Sequence, residues 1–150
     1  MFYLISTQIM NDNTKAQQIK AYESKSEAES NFHSTNGSNY ISETLKTWAC
    51  QVVDDLGNPL MKKFAGEQAS NDVYYVISLQ NTGEANPCSI TAKDDKNDAL
   101  STMEMTCASN CVSEVLKSWA CFVINKIGGR VDGYSYQEPT PEPEPEPNEE

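Results

Sequence analysis

The 150-residue chain carries 22 acidic and 11 basic side chains, a formal net charge of −11, with 38% hydrophobic and 9% aromatic residues. Such acidity argues against a phosphate-backbone binder, which needs a basic face to release counterions, and against docking on an anionic membrane surface. No run approaches the roughly 20 apolar residues of a spanning helix, and the core that the composition allows is modest.

In chain order, Met1-Phe2-Tyr3-Leu4-Ile5-Ser6 is apolar at once, but it lacks the basic start and long apolar run of a signal peptide. The alternation over Phe2 to Ile9 predicts a strand, Asn11-Asp12-Asn13 a turn, and Lys15 to Tyr22 a second strand. Ser24-x-x-Glu27 makes a capping box that opens a helix. That helix is expected to place Ala28, Phe32 and Tyr40/Ile41 on one side and to run to about Leu45. Asn36-Gly37 weakens it by roughly 1 kcal/mol per helix-breaking residue. Leu45, Trp48 and Val52 also fit a helical period. The run Trp48 to Val53, followed by Asp54-Asp55-Leu56-Gly57-Asn58, favours a hairpin that returns through Pro59 to Ala65.

After the polar stretch Glu67-Gln68-Ala69-Ser70-Asn71-Asp72 the pattern repeats. Val73 to Gln80 and Pro87 to Lys93 read as strands, with the turn Asn81-Thr82-Gly83 between them. Asp95-x-x-Asp98 is a weaker capping box. Its helix carries Ala99, Met103, Cys107 and Cys111 on one side and is expected to reach about Leu116. Trp119 to Asn125, Gly128-Gly129 and Arg130 to Tyr136 complete a second hairpin. The chain closes with QEPTPEPEPEPNEE, residues 137–150, with five prolines, six glutamates and nothing apolar. This composition predicts a disordered, extended acidic arm. Without it the first 136 residues carry a net charge of −5, and their apolar fraction rises to about 42%, ordinary for a globular chain.

Self-comparison explains the recurrence. At an offset of 71, 14 of the 30 positions from Ala28 to Gly57 are identical, and Trp48 and Trp119, the two tryptophans of the chain, coincide. Tyr3, Ile5, Ser6 and Gln8 match Tyr75, Ile77, Ser78 and Gln80 at an offset of 72. A one-residue difference in a turn costs little closure entropy. The expected architecture is therefore α+β, a tandem duplication of a small ββαββ unit: an antiparallel sheet with one covering helix. The copies span residues 1–66 and 73–136, with 67–72 as linker and 137–150 as tail. Units of about 65 residues bury little alone, so the two are expected to pack as a pseudo-dimer.

The segments Tyr3-Leu4-Ile5-Ser6-Thr7-Gln8, Ala16-Gln17, Phe32-His33-Ser34-Thr35, Ser38-Asn39-Tyr40-Ile41-Ser42 and Asp54-Asp55-Leu56-Gly57-Asn58 resemble a group of short uncharacterised proteins encoded by phages and prophages. The likeness covers most of the first copy, and the second follows through the duplication. It implies a viral or prophage setting and no known activity, and it carries no functional residues.

Candidate sites have to be weighed against plainer roles. Cys50, Cys88, Cys107, Cys111 and Cys121 form an odd set without a secretion signal, which suits reduced thiols. Cys107-x-x-x-Cys111 lacks the paired spacing of a zinc site, and buried cysteine is a good small hydrophobe. His33, the one histidine, is expected on the solvent side. Asp54-Asp55 and Asp94-Asp95 are explained by turns and caps. Asn36-Gly37-Ser38 spells an incidental glycosylation acceptor.

Trp48 and Trp119 are either core anchors or, facing outward, partner-binding residues together with the arm residues Glu138, Glu142, Glu144 and Glu146. These features lead to the expectation of a non-enzymatic protein–protein binding or structural protein without cofactor or metal, virion-associated or host-interacting. It would sit in the host cytoplasm or the virion and meet a protein partner with a basic surface, with no direct nucleic-acid or membrane contact. It would be a monomer with an internal pseudo-two-fold or a homo-oligomer. The alternatives are an acidic inhibitor mimicking nucleic acid, with carboxylates clustered on one face, and an enzyme with an unrecognised site.

Overall fold

A computed structural model describes residues 1–66 and 73–138. The first copy holds β1 (Phe2–Met10), β2 (Lys15–Tyr22), α1 (Lys25–Ile41), β3 (Leu45–Asp54) and β4 (Pro59–Gly66). The second holds β5 (Tyr74–Asn81), β6 (Cys88–Lys93), α2 (Lys96–Cys111), β7 (Ser118–Asn125) and β8 (Arg130–Gln137). Both sheets are antiparallel and four-stranded, ordered β2-β1-β3-β4 and β6-β5-β7-β8. The fold is α+β, the arrangement expected of a duplicated ββαββ unit. Even a bulge recurs, at Val52/Val53 opposite β4 and at Val123/Ile124 opposite β8.

Strand alternation divides the core into three clusters. Tyr3, Ile5, Ile9 and Val53 point away from α1 and meet Tyr75, Ile77, Leu79, Ala120, Phe122 and Ile124 of the other sheet. Leu4, Trp48, Cys50 and Val52 point the other way, onto Ala28 and Phe32 of α1. Val76, Trp119, Cys121 and Val123 pack likewise onto Ala99, Met103 and Cys107 of α2. The layers are thus helix, sheet, sheet, helix. The central strands are buried on both faces, which is why Trp48–Val53 and Trp119–Ile124 read as almost continuous apolar runs. Each fully buried side chain of the Phe122 or Ile77 class contributes roughly 1.5–3 kcal/mol.

Both helix starts fall where the capping residues put them. Ser24 accepts from the Glu27 N–H, and Asp95 accepts from the Asn97 N–H. The expected helix ends need correction: α1 stops at Ile41 and α2 at Cys111, not near Leu45 and Leu116. In each copy a serine just past the helix turns the chain, with Ser42 Oγ accepting from the Thr44 N–H and Ser113 Oγ from the Val115 N–H, both at 3.4 Å. Such local bonds compete with another helical turn.

The buried helical stripe also needs correction. Tyr40, Ile41 and Cys111 are exposed, and Asn36, Asn39 and Asn110 take the inward positions. At 100° per residue, Asn39 and Asn110 lie about 20° from Ala28 and Ala99, whereas Tyr40 and Cys111 lie about 120° away. Each inward asparagine meets a strand glutamine. Gln8 Nε2 donates to Asn39 Oδ1 at 2.8 Å, and Gln80 Nε2 to Asn110 Oδ1 at 2.9 Å.

The copies also touch through polar groups. Lys15 ion-pairs with Asp94, and Gln51 Nε2 donates to the Gly128 carbonyl at 3.3 Å. The hairpin glycines Gly57 and Gly128 have φ of +81° and +79°, and each lies against the opposite copy. A Cβ at Gly57 would sit 2.9 Å from the Phe122 ring, and one at Gly128 3.2 Å from Gln51 Nε2.

Candidate functional site

The tryptophans belong to the helix-facing sides of β3 and β7, where they are 4% and 5% exposed. They anchor helix to sheet and expose little of either indole to solvent, although part of Trp119 lines a pocket. Among the described glutamates of the arm, Glu138 follows β8, its N–H donates to the Lys117 carbonyl at 2.7 Å, and its carboxylate lies 3.5 Å from Lys117 Nζ. Glu142, Glu144 and Glu146 lie outside the described residues, as do the linker 67–72 and the rest of the arm. Strand β8 extends through Gln137, paired with Ser118, so the last residues of the fold overlap the start of the acidic segment.

The remaining chemistry-bearing groups are spread out. His33 is exposed on α1, 3.7 Å from Glu29 and edge-on to the Phe32 ring. Cys50, Cys107 and Cys121 are buried and Cys111 is exposed. Burial pushes the Cys50 and Cys121 thiols up to about 12 and raises Cys107 as well, so these sulfurs stay protonated at neutral pH. Asp54 accepts from the Leu56 and Asn58 N–H groups within the β3–β4 turn, and Asp12 from the Thr14 N–H. Those local bonds hold the Asp12 carboxyl below the usual carboxylate range. Among the described residues no group of three or more His, Cys, Asp or Glu could hold a metal ion, and no helix is long and apolar enough to cross a membrane.

Three concavities stand out among the described residues. The largest of the three, about 480 Å³, runs between α1 and the β1–β2 strands. Its lining is mostly amide and hydroxyl: Ser6, Gln8, Gln18, Asn31 and Thr35, with Lys20 lying over the Tyr22 ring. A second, about 290 Å³, is lined by Ile9, Asn13, Lys15, Lys46 and Thr47 of the first copy and Val73 and Lys126 of the second. The third, also about 290 Å³, sits at the C-terminal end of α2 and is lined by Asn110, Cys111, Ser113, Leu116, Trp119 and Tyr136.

Exposed apolar side chains occur near this third pocket, as they do at the equivalent end of α1, where Tyr40 and Ile41 are exposed. Val112 and Val115, on the connection from α2 to β7, are 80% and 66% exposed. Tyr134 and Tyr136 share one face of the edge strand β8 and are about half exposed. Exposed apolar side chains that gather beside a pocket mark interaction surfaces more often than singly scattered ones do. Sequence reasoning missed these four residues. The signal available was the alternation Tyr134–Ser135–Tyr136 on an outer strand, together with valines in a connection that should be polar.

No protein-family model, no curated protein and no solved structure matches the chain.

Proposed function

We propose that the chain is a non-enzymatic binding protein that contacts a partner protein through the exposed apolar end of its second copy. The observation that carries this reading is the exposure of Val112, Val115, Tyr134 and Tyr136 at this end, where Tyr136 lines the pocket and the two valines flank its lining residues Cys111, Ser113 and Leu116 in sequence; among the described residues Tyr40, Ile41, Leu60, Phe64 and Met105 are the other exposed large apolar side chains. Aromatic residues of this kind are enriched where protein interfaces draw most of their energy. The chemistry of the other groups supports it: the histidine faces solvent beside one glutamate, and three thiols are buried and protonated.

A net charge of −11 favours a partner with a basic surface, since complementary charge raises the encounter rate. In the phage or prophage setting implied by the first copy, that partner is a virion component or a host protein. The test is capture from cells that make the protein, comparing the intact chain with a Val112→Lys/Val115→Lys variant. Both positions are exposed, so the variant keeps its core. The expected result is a protein retained by the intact chain and lost with the variant. Equal recovery by both, or nothing retained above an unrelated protein of equal charge, contradicts the reading.

A further inference from the structure

The duplication supplies an internal comparison for the pocket. In the first copy, Tyr40 on the last turn of α1 lies edge-on to Trp48, with ring centroids 5.1 Å apart and planes at 81°. The Lys63 ammonium, on the neighbouring strand β4, is 6.0 Å from the Tyr40 ring. The offset of 71 carries Tyr40 to Cys111, Trp48 to Trp119, Lys63 to Tyr134 and Ala65 to Tyr136. The strand pairing agrees, because Trp48 lies opposite Ala65 and Trp119 opposite Tyr136. The second copy therefore keeps the indole, replaces the covering phenol with a small, exposed thiol, and sets tyrosines on the neighbouring strand where the first copy has Lys63 and Ala65. The pocket of about 290 Å³ lies there, beside Cys111 and Trp119.

We propose that this pocket binds a phenol ring, seated on Trp119 as Tyr40 is seated on Trp48. An edge-to-face approach to an indole is a favoured aromatic geometry. The pocket lies near the lower end of the roughly 300–1,000 Å³ range of small-ligand sites, which suits one ring. Ser113, Asn110 and the Tyr136 hydroxyl give its wall polar atoms for a phenolic oxygen. The ring has two sources, a free small phenol or the tyrosine side chain of a partner. The second names the group read by the contact surface and rests on that reading.

The experiment follows the two tryptophan indole N–H signals of the intact chain by ¹H–¹⁵N NMR while p-cresol, the tyrosine side-chain analogue, is added. The Trp119 signal is expected to shift and saturate at millimolar p-cresol while the Trp48 signal holds still. Cys111→Tyr, which restores the first copy's residue at an exposed position, is expected to weaken that response at least about tenfold. The reciprocal Tyr40→Cys variant is expected to make Trp48 respond. A Gly-Tyr-Gly peptide binding more tightly than p-cresol assigns the ring to a partner's tyrosine, and p-cresol binding without the peptide assigns it to a free phenol. Either outcome upholds the site.

A Trp119 signal unmoved by both probes, or moving equally in Cys111→Tyr, overturns it. If Trp119 is unmoved yet the Val112→Lys/Val115→Lys variant loses its partner, the ring site falls and the contact surface stands. If Trp119 responds and no partner is lost, the reverse holds.

Discussion

Single side chains show where this fold carries internal cost. Asn36 is buried on the sheet-facing side of α1, and neither its Nδ2 nor its Oδ1 has a hydrogen-bond partner among the described residues. An unmet buried polar group costs roughly 1–3 kcal/mol. The second copy has Cys107 at the equivalent position, so Asn36→Cys is expected to stabilise the protein by about 1–2 kcal/mol, read from denaturant midpoints at unchanged slope.

Tyr3 and Tyr75 occupy equivalent places between the sheets, their hydroxyls also without a partner among the described residues. Burial pushes both phenols up, from 10.0 to about 12, and pushes the Cys50 and Cys121 thiols from 9.0 to about 12. The unfolded chain releases these protons first, so it binds fewer protons than the folded one across this range. The stability these groups contribute is fully present below pH 9 and is lost as pH rises through 12. Thermal melts at pH 8, 9, 10 and 11 should show a midpoint that changes little up to pH 9 and then falls through pH 10 and 11. A midpoint flat to pH 11 would contradict the buried placement of these groups.

At the scale of elements, the hairpin between β3 and β4 closes the first sheet and also abuts the second. Gly57 combines a positive φ with a ring carbon of Phe122 2.9 Å from where a Cβ would stand. Gly57→Ala is therefore expected to cost about 2–3 kcal/mol, more than the roughly 1 kcal/mol of the backbone term alone. Gly37, which meets nothing within 4 Å of its Cβ position, is the control. Its replacement by alanine should be neutral or mildly stabilising, because the helix gains propensity.

Much of this level is legible in the sequence. Alternation gives the strands, Ser24 and Asp95 give the helix starts, and Asp54 to Asn58 gives the turn, because each is local chemistry. The helix ends were less accessible, because Ser42 and Ser113 stop the helices through weak side-chain bonds while Leu45 and Leu116 still fit the helical period. The inward asparagines escaped an apolar-stripe argument for another reason. Their burial depends on Gln8 and Gln80, more than 25 residues away in sequence.

For the whole molecule, the duplication makes each sheet two-faced, with a helix on one side and the other copy on the other. What the two copies do not share is the end of the helix: in the first Tyr40 lies on Trp48, and in the second a pocket lined in part by Trp119 takes that place. The substitution of Tyr40 by Cys111 is visible in the aligned copies. Its consequence is not, since a pocket depends on how β8 and the α2–β7 connection surround it. The valines and tyrosines around it became a surface only once the edge strand was placed beside the helix end.

In the proposed contact the second copy, and not its equivalent in the first, meets the partner. The most direct measurement places a photo-crosslinking phenylalanine at Val112 or, separately, at Ile41, its counterpart at the offset of 71, in cells that make the protein. Both side chains are highly exposed, so the probe has equal access at either site. The account predicts a discrete crosslinked partner from position 112 and none from position 41. Crosslinks of equal yield from both positions, or from 41 alone, would contradict it.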